Sequence, residues 1–239
     1  MIVFAAAALA VTLGITNDAV TAPTQIAAGL TTFTIDNHAT APHALRFVKL
    51  SAPHTSDEFG AFLRSGGKPP AWISTVGGVA TLAPSRSEDY TITIAAGSYV
   101  IVDGDRFVPL RVTGPAAKAQ PPAADVNVRL RDHGFQLNAP LSSGKQTIHL
   151  QNVGSEPHQA LIVRLPERVS EFAIRTWITN GSHGEHPGEP VGGALEVPIG
   201  AEAWVTLDLT PGRYILLCGQ LEEEGRHFDL GMIYRFEIE

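Results

Sequence analysis

The chain has 239 residues, 17% of them charged, and carries a formal net charge of −7 at pH 7. This acidic balance, without a cluster of Lys and Arg, argues against a nucleic-acid partner, because phosphates are neutralised by clustered basic side chains. Glycine (23 residues) and proline (17 residues) are abundant, which favours short strands joined by many turns.

The N-terminal residues 1–10 are apolar and end in Ala8-Leu9-Ala10, the small-x-small pattern that signal peptidase favours. The segment is short and has no basic start, so we interpret it as a truncated signal peptide. We therefore expect an exported bacterial protein, periplasmic or at the cell surface. The alternative is a buried N-terminal strand over residues 2–15. No other run approaches the roughly 20 apolar residues that cross a bilayer, so we predict no transmembrane segment in the mature chain.

The sequence matches itself at an offset of 115 residues. The match predicts an internal duplication, with one copy in residues 11–112 and a second in residues 125–239. Residues 113–124 between them are rich in Pro and Ala and are predicted to be a semi-rigid linker. The matched positions include Asn37 with Asn152, Pro42-His43 with Pro157-His158, Gly77-Gly78 with Gly192-Gly193, and Tyr99 with Tyr214.

Each copy alternates apolar and polar residues with a period of two, which is typical of strands in a β-sandwich. The predicted strands, in chain order, are Thr31–Asp36, Leu45–Leu50, Tyr90–Ile94, Gln146–Gln151, Ala160–Leu165 and Trp204–Leu209. A short helix is predicted in each copy, near Ser56–Arg64 and near Ser170–Ile178, because each segment opens with Ser followed by an acidic residue. The predicted fold is therefore all-β with short helical insertions.

Four residues of the second copy are of types that bind copper. His158 follows a turn that opens with Asn152, and Cys218, His227 and Met232 follow in the order Cys-x8-His-x4-Met. Two imidazoles, one thiolate and a distant thioether are the ligands of a type 1, or blue, copper centre. The alternative is that each residue acts alone, as a buried thiol, a solvated histidine or a packed methionine.

With these residues, the second copy resembles the cupredoxin family, in which the C-terminal loop provides Cys, His and Met in that order. The loop is longer than that of plastocyanin and resembles the type 1 loop of copper nitrite reductases. The resemblance implies two tandem cupredoxin-like Greek-key β-sandwiches and one copper per chain, with His158, Cys218 and His227 as equatorial ligands and Met232 as the axial one. The sequence departs from plastocyanin-like members at Gln159, where Asn often ties the ligand loops together.

The first copy provides an internal comparison. It keeps Pro42-His43 but has Asp103 where the second copy has Cys218, and residues 103–110 contain neither His nor Met. We therefore expect His43 to be a turn histidine without partner ligands, and the first copy not to bind type 1 copper.

These observations favour a mononuclear electron carrier that exchanges one electron through an exposed edge of His227. Copper delivery and a non-redox adhesion sandwich are the alternatives. We do not predict an enzyme, although a second copper shared between subunits stays open. The second copy carries 16 acidic and 9 basic residues, including Glu222-Glu223-Glu224 in the ligand loop. This charge favours a cationic redox partner, or else it only solvates the loop.

Overall fold

The computed structural model describes residues 6–239, and this part of the chain contains 20 strands and two α-helices. The first half contributes β1 (Ala6–Ala7), β2 (Leu9–Ile15), β3 (Val20–Thr21), β4 (Gln25–Asn37), β5 (His43–Leu50), α1 (Ser56–Ser65), β6 (Ile73–Leu82), β7 (Ser87–Ile94), β8 (Gly97–Asp103), β9 (Arg106–Ala117) and β10 (Ala119–Gln120). The second half contributes β11 (Val126–Arg131), β12 (Gly134–Leu137), β13 (Gly144–Asn152), β14 (His158–Leu165), α2 (Glu171–Thr179), β15 (Glu189–Val197), β16 (Glu202–Leu209), β17 (Gly212–Leu217), β18 (Leu221–Glu222), β19 (Gly225–Arg226) and β20 (Ile233–Ile238). Both predicted helices and all six predicted strands are present, which confirms the all-β fold with short helical insertions.

Sixteen strands form one continuous hydrogen-bonded network, in which each half contributes two groups of strands, its two sheets. In the first half, β4 lies between β2 and β7 in one sheet, and the other sheet has the order β6-β5-β8-β9. The start of β4 also pairs with β9, which joins the two sheets of the first half. In the second half, the corresponding orders are β12-β11-β13-β16 and β15-β14-β17-β20. Strands β5 and β14 begin at His43 and His158, which are 115 positions apart (158 minus 43). The recurrence is what a duplication would produce, although the duplication itself stays a prediction.

Alternating burial along the strands builds the core. In β5, for example, Leu45 and Phe47 are buried whereas Arg46 between them is exposed, as expected when successive side chains point to opposite faces. One buried apolar cluster runs through both halves, and a smaller cluster lies under each helix. Neither helix in residues 6–239 has the length and apolar composition of a membrane-spanning segment.

The two halves join through both of their sheets. Strand β7 pairs with β16 around Tyr90 and Val205, and β6 pairs with β15 at Val79 and Ala194. Each of these pairs joins positions that correspond at the 115-residue offset. The halves are therefore related by a local two-fold axis, as the subunits of a symmetric dimer are.

Strand pairing extends into the predicted linker. Strand β9 continues to Ala117, because the start of β4 gives it a parallel partner from Gln25 onward. Strand β10 then pairs with β1, so only Lys118 and residues 121–124 of the predicted linker lack regular structure. In the predicted signal-peptide segment, residues 6–7 and 9–10 belong to strands and residues 1–5 lie outside the described residues.

A buried carboxyl group lies where the halves meet. Glu88 on β7 is 1% exposed, and its Oε2 accepts a hydrogen bond of 2.7 Å from the backbone N–H of Gly193 on β15. Its Oε1 has no hydrogen-bond partner among residues 6–239. Burial, aided by the nearby charge of Asp89, raises the pKa of Glu88 well above its ordinary value. The folded protein therefore holds this side chain in its neutral form.

We predict that Glu88→Gln makes the stability of the protein less dependent on pH. The unfolded chain ionises Glu88 above its ordinary pKa of 4.5, whereas the folded protein keeps the proton. The wild-type free energy of unfolding should therefore fall as the pH rises from the unfolded pKa toward the folded one. The melting temperature of the variant minus that of wild type should therefore be larger at pH 8 than at pH 4. A change of 1 kcal/mol in the free energy of unfolding shifts the melting temperature by roughly 2–4 °C for a chain of this size.

The matched control is Glu237→Gln, which neutralises an exposed glutamate and should leave the pH profile close to that of wild type. A melting-temperature difference between Glu88→Gln and wild type that is the same at both pH values would contradict the prediction.

Candidate metal centre

Three of the four predicted ligands converge at one end of the second half. His158 is the first residue of β14, Cys218 follows β17, and His227 lies in the loop between β19 and β20. The two Nδ1 atoms of His158 and His227 are 3.1 Å apart, and Cys218 Sγ is 3.4 Å from His227 Nδ1. One donor atom from each residue lies within 4.8 Å of the others, and all three residues are 0% exposed. These three side chains could hold a single metal ion.

The fourth predicted ligand, Met232, lies beside the other three. Its backbone N–H donates to the carbonyl of His227 (2.8 Å), and its own carbonyl accepts from the N–H of Cys218 (3.1 Å). The residue is fully buried. These contacts bring Met232 next to the centre, and its role as axial ligand stays a prediction.

The turn before β14 is held by Asn152, which positions His158. The Asn152 amide donates to the carbonyls of Glu156 (2.7 Å) and Val197 (2.9 Å), and its oxygen accepts from the N–H of Gly154 (3.0 Å). In the first half, Asn37 makes the same three kinds of contact. The turn is therefore a feature of the scaffold that both halves share.

Each imidazole of the centre has a carboxylate at its outer nitrogen. His158 Nε2 lies 3.1 Å from Asp132 Oδ1, and His227 Nε2 contacts Glu222 Oε1. A carboxylate accepts from an N–H, so each Nε2 carries the proton and each Nδ1 presents a lone pair. Burial lowers the pKa of His158 below its ordinary value, although Asp132 opposes the shift. Two Nδ1 lone pairs 3.1 Å apart, with the Cys218 sulfur 3.4 Å from one of them, all point into one buried space, so the donor set fits a bound metal.

Asp132 is held in place by Ser155. The Ser155 backbone N–H donates to both carboxylate oxygens (2.9 and 3.1 Å), and its hydroxyl donates to Oδ2 (2.8 Å). Partial burial raises the pKa of Asp132, but these bonds and the contact with His158 outweigh it and lower the pKa below its usual value. The corresponding residue of the first half, Asn17, accepts from Thr40 in the same way but has no charge. Sequence analysis missed Asp132, which the 115-residue offset pairs with Asn17.

The Cys218 sulfur is tied to the neighbouring ligand loop. The backbone N–H of Gln159 donates to Sγ (3.2 Å), and the side-chain oxygen of Gln159 accepts from the N–H of Gly219 (3.1 Å). Gln159 therefore joins the two loops, as the Asn of plastocyanin-like members was expected to do. Burial, as the main cause, raises the pKa of Cys218 to about 11. Without a metal the thiol stays protonated, and a metal ion would have to displace that proton.

One expectation about the centre is wrong in the structure. His227 was predicted to have an exposed edge, yet it is 0% exposed. Strands β18 and β19 form a small hairpin between Cys218 and His227, and this hairpin places Glu222 over the imidazole. The adjacent Leu221 points outward and is 62% exposed. The length of the ligand loop is what allows the hairpin to form.

The first half has an ion cluster in place of the donor set. His43 Nδ1 lies 2.8 Å from Asp103 Oδ1, and the guanidinium of Arg106 binds the other oxygen of Asp103. The expectation that His43 lacks partner ligands is thus refined, because its partner is a carboxylate. In residues 6–239, the only group of three or more potential ligands is the one in the second half.

The sequence matches no protein-family model and no curated protein. Among solved structures, the chain is similar to a reduced auracyanin from Roseiflexus castenholzii (16% identity, 47% of this chain and 94% of that one, TM-score 0.36). It is also similar to a multicopper oxidase (14% identity, 96% and 88%, TM-score 0.28). A third similar structure is the copper nitrite reductase from Nitrosomonas europaea (12% identity, 97% and 94%, TM-score 0.29). These likenesses are too distant to assign a family, so the function must be inferred from the geometry of the centre.

We predict that Cys218 of the metal-free protein does not react with Ellman's reagent at pH 7.5 in the folded state. The thiol is fully buried and its pKa is about 11, so the reactive thiolate is scarce and shielded. Absorbance should report one thiol per chain after denaturation in guanidinium chloride. Prompt reaction of the folded protein would contradict the prediction.

We predict that Gly154→Ala weakens metal binding without unfolding the protein. A Cβ at Gly154 would lie 2.3 Å from Asp132 Oδ1 and 2.5 Å from His158 Nε2, so the contact between these two residues must shift. Loss of such an outer contact lowers metal affinity by roughly 10–100-fold, which competition with a chelator of known affinity measures. The control is Gly134→Ala, whose added Cβ meets no atom within 4 Å. Equal affinities of the two variants would refute the assigned role of the contact.

Proposed function

We propose that residues 125–239 form a cupredoxin domain that binds one copper ion. In this proposal His158, Cys218 and His227 are the equatorial ligands and Met232 is the axial ligand. The observation that carries the proposal is the convergence of two Nδ1 atoms and one Sγ within 4.8 Å, each on a fully buried residue. Two imidazoles and a thiolate with a weak thioether ligand are the donor set of blue copper.

The copper would supply a one-electron redox couple, and the chain would supply a fixed and dry site. Asp132 and Glu222 hold the outer nitrogens of the two imidazoles, and the N–H of Gln159 donates to the sulfur. These contacts fix the orientation of each ligand before the metal arrives. A site that changes little between oxidation states keeps the reorganisation on electron transfer small, so we propose that the protein is an electron carrier.

Burial favours an electron carrier over copper delivery. A delivery protein must release its ion to a partner, which is easier when at least one ligand is exposed. Here all four proposed ligands are 0% exposed. The carrier proposal therefore implies slow exchange of Cu(I) with chelators, whereas delivery implies fast exchange.

We propose a carrier rather than an enzyme, since residues 6–239 hold one group of three or more potential metal ligands. The proposed partner is a redox protein with a cationic surface. The support for it is the charge of the second half and of Glu222-Glu223-Glu224 in particular. Export to the periplasm or the cell surface is part of the same proposal.

The proposal is tested by titrating the purified protein with Cu(II) and recording visible spectra. We expect one copper per chain and intense absorption from thiolate-to-copper charge transfer. Cys218→Ser should abolish the absorption, because it removes the thiolate.

The control for the stoichiometry is His43→Ala, which alters the corresponding histidine of the first half and should leave both copper content and colour unchanged. A copper-loaded wild-type protein without visible absorption would contradict the proposal of a type 1 centre. A loss of bound copper in His43→Ala would overturn the assignment of the copper to the second half.

A further inference from the structure

Glu222 covers the outer edge of the His227 imidazole, on the side of the centre opposite the metal-facing nitrogen. Its Oε1 contacts His227 Nε2, and the His227 side chain is 1% exposed while that of Glu222 is 27% exposed. The residue therefore has one face on a proposed ligand and one face on water. Among residues 6–239, no other hydrogen bond to the Glu222 carboxylate accompanies this contact.

Glu222 is held in place differently from Asp132, the other carboxylate of the centre. Asp132 is fastened by three hydrogen bonds from Ser155. Glu222 instead sits on a hairpin of two short strands, Leu221–Glu222 and Gly225–Arg226, whose base is closed by the N–H of His227 donating to the carbonyl of Gln220 (2.9 Å). Arg226 anchors the far strand by donating to the carbonyl of Gly219 (2.8 Å). The base of the hairpin is thus fixed, while the Glu222 carboxylate is held by His227.

We propose that Glu222 is a positioning residue that caps His227. It fixes the ring through Nε2 and shields it from water, and it lowers the reduction potential of the centre. The effect on the reduction potential rests on the proposed function, whereas the fixing and the shielding of the ring do not. A carboxylate bonded to a ligand imidazole adds negative charge beside the metal, and negative charge stabilises the more positive oxidation state.

The cap also defines how a partner could reach the centre. Glu223 and Glu224 are exposed on the same hairpin, so a cationic surface would meet all three carboxylates together. A partner Lys or Arg side chain can compete with His227 for Glu222, because carboxylates form strong hydrogen bonds with charged donors. Docking of a cationic partner would then uncover the imidazole edge through which the electron passes.

The experiment compares Glu222→Gln with Glu223→Gln, which removes the same charge from the next residue of the hairpin without touching His227. In the metal-free protein, NMR follows the exchange of the His227 Nε2–H with solvent. We expect a protected proton in wild type and in Glu223→Gln, and exchange roughly tenfold faster or more in Glu222→Gln. Circular dichroism verifies that both variants are folded.

In the copper-loaded protein, voltammetry measures the reduction potential. We expect a rise in Glu222→Gln that clearly exceeds the rise in Glu223→Gln. Equal exchange rates in the two variants would overturn the cap, and equal potentials would overturn its effect on the reduction potential. If wild type takes up no copper, the proposed function fails, and the NMR comparison alone still decides whether Glu222 holds His227. If copper binds and only the NMR comparison shows no difference, the cap fails and the proposed function stands.

Discussion

Two imidazole rings in the second half turn the same nitrogen toward each other, and the rest of the centre depends on that orientation. The Nδ1 atoms of His158 and His227 are 3.1 Å apart because each Nε2 is engaged by a carboxylate on its far side. Without those carboxylates either ring could place a proton on Nδ1 and form an ordinary hydrogen bond with the other. With them, two lone pairs and a sulfur meet in a space closed to water, which is a donor set that a cation could take up once the thiol gives up its proton.

The first half shows the same scaffold with an ion cluster in place of the His, Cys and His side chains. Its Asn37 turn matches that of Asn152, so His43 enters its strand as His158 does. Asp103 and the guanidinium of Arg106 then provide a negative and a positive group within the protein itself. The scaffold therefore places a histidine at this position in both halves, and the residue opposite it decides whether the space holds an ion pair or soft-metal ligands.

Much of the fold and the convergence of three side chains could be predicted because their signals are local. Alternating residues predicted the strands, and the types and order of His158, Cys218 and His227 predicted that they meet. Asp132 was missed, since a carboxylate at a turn is ordinary and only the comparison with Asn17 makes it distinctive. The burial of His227 was missed because it depends on how the hairpin of Glu222 folds back, which the spacing of residues does not specify. The extension of β9 was missed for a similar reason, because its partner strand β4 is distant in sequence.

The two-fold pairing of the halves has a consequence for how the chain can associate with other chains. Strands β15 and β16 are edges of the second half, and each is covered by a strand of the first. An uncovered edge strand is a template for pairing with any other chain that offers one. Since the pairs centre on corresponding positions, a second half cut away from the first would find its best substitute in another copy of itself. The first half can thus be understood as a built-in partner that occupies the strand edges through which a second half on its own would pair.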